Sequence, residues 1–221
     1  MRLVSLLILA FVAAEASTQP AQSAVFAGEW FVSGGYGYGD ASMRTIDASQ
    51  NNNVGPPGTG IRLSQQDFAP LVSGDVLYQF TPHFGLGVEV IESQFRFAQT
   101  AFTSHDHFYL ATARYVFLPE RNLNPYIMAG AGVNFFQTSY GSLSTYIIPF
   151  NLLLPAAEVG LGVEYSLTTH VVLGTELGAL GLAPGVPKPG IYPSSGINWP
   201  AAIEPYFRLK LGFDFGGKGQ E

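Results

Sequence analysis

The sequence predicts an all-β chain: eight antiparallel strands joined up-and-down and closed into a transmembrane barrel, with short periplasmic turns and longer external loops. Three observations carry the prediction. Segments of roughly nine to eleven residues, the length a tilted strand needs to cross a bilayer, alternate between apolar side chains and small or polar ones. Their apolar faces end in aromatic residues. The connections between them alternate long and short, as in outer-membrane barrels. Composition agrees: only 12% of the 221 residues are charged, half of the ~25% usual for a soluble domain.

The chain opens with Arg2, the apolar stretch Leu3 to Ala14 and the small-residue pattern Ala14-Glu15-Ala16. This reads as a secretory signal over residues 1–16, too short to anchor in a membrane. Residues 17–25 follow as a short periplasmic segment, 26–215 as the barrel and 216–221 as a tail. The chain contains no cysteine, which excludes a lipid anchor, a disulfide scaffold and thiolate metal sites.

Eight alternating segments come next. Trp30, Val32, Tyr36 and Tyr38 oppose Phe31, Ser33, Gly35 and Gly37. Val72, Val76, Tyr78 and Phe80 oppose Ser73, Asp75 and Gln79, and Phe84, Leu86, Val88 and Val90 oppose Gly85, Gly87 and Glu89. Tyr109, Ala111, Ala113, Tyr115 and Phe117 oppose Thr112 and Arg114, whereas Ile127 to Phe135 oppose Met128, Gly130, Gly132 and Asn134. Ala157 to Tyr165 oppose Glu158, Gly160, Gly162 and Glu164; Val171 to Leu177 oppose Gly174 and Glu176; Phe207 to Phe215 oppose Arg208, Lys210, Gly212 and Asp214. Tight turns fall at Thr81-Pro82-His83, around Pro119 to Asn122 and at Thr168-Thr169. Longer loops fall at 40–66, 98–104, 139–152 and 181–202; the first holds Asn51 to Asn53 and Gly55-Pro56-Pro57-Gly58, the last Tyr192 and Trp199.

The sign of the two faces separates a membrane barrel from a soluble sandwich. The polar faces carry glycine, serine and a few charges, too little to solvate an exterior, so the apolar faces point out to lipid and the sheet closes to leave no bare edge. Trp30, Tyr38, Tyr78, Phe80, Tyr109, Phe117, Tyr165 and Phe215 are the expected aromatic girdles at the lipid–water boundaries. Inside, Glu89, Arg114, Glu158, Glu164, Glu176, Arg208 and Lys210, with Asp75 and Asp214, form an expected charge network. An eight-stranded interior is narrow enough to be filled by side chains, so a salt-bridged plug is favoured over an ion path. The inward glycines either allow close packing or open a narrow cavity, and both readings stand at this point.

There is an internal echo. Tyr78, Thr81, His83, Leu86, Gly87 and Glu89 match Tyr165, Thr168, His170, Leu173, Gly174 and Glu176 at identical offsets. Equal constraints on every hairpin explain it more simply than duplication does.

Asn124-Pro-Tyr-Ile-Met-Ala-Gly-Ala-Gly-Val-Asn134 resembles the fifth-strand motif of small outer-membrane proteins of the OmpW and OmpA/OmpX-like superfamily. Phe84 to Glu89, Glu158 to Tyr165 and Glu204 to Phe215 fit the same pattern, so the resemblance covers residues 26–215. It implies an eight-stranded barrel and, for OmpW-like members, a narrow apolar channel for small hydrophobic molecules. It also implies outer-membrane lipids, lipopolysaccharide and the barrel-assembly machinery as partners. Such proteins end on an aromatic residue; here Phe215 is followed by residues 216–221.

The net charge of −6 without basic clusters argues against a nucleic-acid partner. A hydrolase of lipid A barrels would need His-x-Ser, which does not occur. Ser104-His105-Asp106-His107 is the sole cluster of catalytic or ligating types, and solvated rim residues are the better reading of it. No cofactor, metal or enzymatic activity is expected. The expected role is structural or surface-interacting in the outer membrane, with slow passage of small hydrophobic molecules, loop-mediated adhesion and lipid-modifying catalysis as further readings.

Overall fold

A computed structural model describes residues 25, 27–40, 45–47, 62–64, 68–96, 103–139, 151–183 and 202–215. The expected signal (1–16), residues 17–24, Asn51 to Asn53, Gly55 to Gly58, the Ser104 side chain, Tyr192, Trp199 and the 216–221 tail lie outside the described residues.

The strands are β1 (Glu29–Gly39), β2 (Thr45–Asp47), β3 (Arg62–Ser64), β4 (Ala69–Gln79), β5 (Phe84–Arg96), β6 (Thr103–Val116), β7 (Leu123–Ser139), β8 (Asn151–Ser166), β9 (Val171–Leu182) and β10 (Ala202–Phe215). Eight of them close an all-antiparallel barrel in the order β1-β10-β9-β8-β7-β6-β5-β4. Closure leaves no unpaired edge, the condition a sheet in lipid must meet.

The register fixes the barrel's shape. Glu29 pairs with Gln79, then Gly85, Arg114, Met128, Gly160, Gly178, Tyr206 and finally Gly39. One circuit therefore climbs ten residues along β1, from 29 to 39. Such a stagger tilts the strands by about 40° and leaves an interior that side chains can fill.

The face assignment read from the sequence holds in every barrel strand. Val32, Val72, Val88, Leu161, Leu177, Leu209 and their row-mates are exposed on the outside, whereas Ser33, Asp75, Glu89, Arg114, Glu158, Glu176, Arg208 and Lys210 are buried inside.

Two expectations about connections are corrected. The loop at 40–66 contains a hairpin, β2 paired with β3. The loops at 98–104 and 139–152 are shorter than expected, because β5, β6, β7 and β8 run to 13, 14, 17 and 16 residues. Apolar alternation ends where the lipid ends, but backbone pairing continues into water at little cost, so the wall stands taller on this side than at β1 and β4, of 11 residues each.

The repeated sequence builds one turn twice. Phe80 N donates to Phe84 O at 2.9 Å and Leu167 N to Val171 O at 2.8 Å. The hydroxyls of Thr81 and Thr168 accept from Phe84 N and Val171 N, both at 3.0 Å. His83 Nδ1 lies 2.8 Å from Val116 O, and His170 Nδ1 3.2 Å from Asp214 O, each tying the turn to the neighbouring strand. Shared bonds account for the shared residues.

Before β1, Gly28 adopts a φ of +85°, which favours glycine, and its N–H donates to Gln79 O at 2.7 Å. Val25 N donates to Pro119 O at 2.9 Å. Pro119 belongs to the β6–β7 turn, across the barrel from β1, so the chain entering β1 crosses the turn-side mouth.

Candidate functional site

The interior is the candidate site, and it is stacked in three levels. At the turn end, Phe31, Leu77 and Val172 form one apolar cluster and Val116, Tyr126 and Met128 another. At the loop end, Leu71, Ile91, Phe108, Leu110, Leu154, Leu180 and Leu182 pack with Tyr206. The Arg208 and Lys210 ion pairs lie between, while Asp106 and Glu204 are buried toward the loop end and Glu29 toward the turn end.

Strand alternation explains that level. β10 brings Arg208 and Lys210 to the inner face two residues apart, and β5, β8 and β9 bring Glu89, Glu158 and Glu176 to meet them. Fully buried Arg208 pairs with Glu89, with Glu176 at 2.5 Å and with Glu158 at 3.2 Å. Lys210 Nζ lies 2.8 Å from Asp75, which also accepts from the Ser33 hydroxyl, and 3.7 Å from Glu176. Arg114 is separate from this group and pairs with Glu164 at 2.6 Å. Its guanidinium stands over the rings of Phe31 and Tyr126, 4.7 and 5.3 Å from their centroids. Asp214 sits half-buried at the turn end, in none of these pairs.

Two tyrosines complete the network, and charge-based reading of the sequence passes over them. Tyr126 donates to Glu176 at 2.6 Å. The Tyr206 hydroxyl lies 2.5 Å from Glu158 and 2.6 Å from Glu176, and its ring is 5.0 Å from the Arg208 guanidinium. Their signal was parity: Tyr126 is in phase with inward Met128, and Tyr206 with inward Arg208.

The glycines settle as packing partners. A Cβ at Gly162 would strike the Tyr126 ring, one at Gly178 the Tyr206 ring, one at Gly212 the Phe31 ring and one at Gly37 the backbone of Arg208. At Gly162, Gly178 and Gly212 the room is taken by rings of the plug, whereas at Gly37, Gly87 and Gly132 it is taken by the neighbouring strand's backbone.

The aromatic residues divide unevenly. Trp30, Tyr78, Phe80, Phe117, Tyr165 and Phe215 lie at the turn end, Tyr38 and Tyr109 nearer the loop end. The turn-end rings touch in sequence: Trp30 to Tyr78 at 4.9 Å, Tyr78 to Phe80 at 4.8 Å and Tyr115 to Phe117 at 5.4 Å.

The cluster at 104–107 lies on β6, where alternation splits it. His105 and His107 face outward and Asp106 is buried inside. A histidine–carboxylate relay within this segment would need both on one face.

Among solved structures the chain resembles Neisserial surface protein A (13% identity, TM-score 0.53, 85% of this chain and 99% of that one). It also resembles OprG of Pseudomonas aeruginosa (15%, TM-score 0.53, 89% and 100%). A third is Ail, the attachment invasion locus protein of Yersinia pestis, in complex with the heparin analogue sucrose octasulfate (15%, TM-score 0.50, 86% and 100%). The fold is that of the small eight-stranded outer-membrane barrels. No family model matches the sequence, and no curated protein does either. At such identities the likeness speaks to the barrel and not to a shared activity.

Proposed function

We infer that the chain is an outer-membrane barrel that acts by contact at its external end, its turns facing the periplasm and its wall serving as an anchor with a closed interior. One observation carries this reading: Arg208, without exposed surface, sits among Glu89, Glu158 and Glu176 in mid-barrel. A level of tightly paired charges in mid-barrel leaves no free ion to draw a file of water and interrupts any continuous apolar path. The long external connections, 183–201 among them, are then the surface left for partners. Outer-membrane lipids and lipopolysaccharide surround the apolar belt, and Phe215 serves as the aromatic terminus for the assembly machinery.

Conductance tests it. The full-length chain in planar bilayers is expected to give no sustained ion current, whereas Arg208→Ser, which removes the wedge, gives measurable steps. Sustained current from the unaltered chain would overturn the closed-interior reading. Deleting residues 185–200 is expected to abolish cell-surface adhesion while the folded barrel persists.

A further inference from the structure

Almost all of the described outward face is apolar. From Trp30 on β1 round to Phe215 on β10 it presents aliphatic, aromatic, glycine and proline side chains, with Thr175 as a mild exception. One patch breaks the rule. On β5, β6 and β7 the outward row reads Glu92 and Gln94, His105 and His107, and Gln137. Register places them together: Glu92 is opposite His107, and Gln94 and Gln137 flank His105 on either side.

The patch lies beyond Tyr109 toward the loop end, where the taller wall leaves the lipid. The imidazoles of His105 and His107 stand side by side, their planes 9° apart and their centroids 6.5 Å apart. Both residues are half-buried. Residues two apart on one strand face stand about 7 Å apart, so a χ rotation at each turns a ring nitrogen toward one ion at the ~2.0–2.1 Å of a metal–imidazole bond. Glu92 stands across the strand pair, with Cβ atoms about 4.5–5.5 Å apart, and adds a carboxylate beside the two imidazoles.

We propose that His105 and His107 form a two-imidazole chelate for a borderline divalent transition metal such as Cu2+, Ni2+ or Zn2+ at the external lipid–water boundary. Among the described residues no group of three or more His, Asp or Glu is arranged to hold a metal. The site therefore supplies two ligands and leaves the ion's other positions to water. It does not depend on the interior being closed.

The test uses untagged full-length chain in detergent micelles, titrated with Cu2+ and followed by electron paramagnetic resonance. One equivalent is expected to bind with hyperfine splitting from two nitrogens. Either His105→Gln or His107→Gln should weaken binding by roughly a hundredfold, since the second ligand acts at high effective concentration, and both together should abolish it. Heat-modifiable gel mobility confirms that each variant is folded; should the double variant fail to fold, either single variant decides. Unchanged affinity in a folded variant overturns the proposal, as does loss of the signal in His83→Gln/His170→Gln instead.

Discussion

At the scale of residues, the interior works by pairing absences with bulk. Gly162 and Gly178 on β8 and β9 give up side chains where Tyr126 and Tyr206 lie across the wall. Gly162→Ala is therefore expected to destabilise the barrel by about 1–3 kcal/mol, the cost of overpacking against a rigid ring. Gly34→Ala is the control: it faces lipid, its nearest neighbour would be 3.8 Å from the new Cβ, and losing a strand glycine is neutral or mildly favourable. Urea unfolding in detergent, read by gel mobility, compares the two; equal midpoints would mean that the glycines are not sockets. Which face each residue takes was legible from period two alone, down to Phe31 among inward glycines. Which carboxylate meets which cation was not. Pairing depends on the ten-residue stagger, which brings Arg208 to Glu89 across the lumen rather than to a neighbour in sequence.

At the scale of elements, strand cores were legible and strand ends were not. Apolar alternation reports lipid contact, so it stops near Val90 on β5 and resumes near Tyr109 on β6, although pairing runs on to Arg96 and Thr103. The same contrast makes a quantitative expectation. Leu161 lies midway along the outward row of β8, and Leu153 lies at its loop end; both are exposed. Leu161→Arg should cost about 2–4 kcal/mol, as arginine does at a bilayer midplane, and Leu153→Arg only about 0–1 kcal/mol. Unfolding midpoints in lipid vesicles distinguish them. Similar costs at both positions would place the hydrocarbon boundary wrongly on this strand.

At the scale of the whole molecule, closure followed from an even set of lipid-facing strands, but the crossing of the turn-side mouth had no sequence signal. Nothing in Val25 or Pro119 marks them as partners; only the closed order, with β4 and β5 between β1 and β6 and with β10, β9 and β8 between β1 and β7, sets them across from each other. Four residues from Val25 to Glu29 reach at most roughly 13–14 Å, and the Val25–Pro119 bond ties the start of this strap to the turn on the far side of the mouth. The chain has no cysteine of its own, so introduced thiols report this path without background. Val25→Cys with Glu120→Cys, treated with a short bis-maleimide in the folded state, should cross-link in high yield and close a loop that alters mobility after boiling. Val25→Cys with Thr168→Cys, at the β8–β9 turn, should link poorly. Equal yields from both pairs would mean that the segment roams the rim rather than crossing the mouth at a fixed place, and the turn-side opening would then be covered by the apolar floor without the strap.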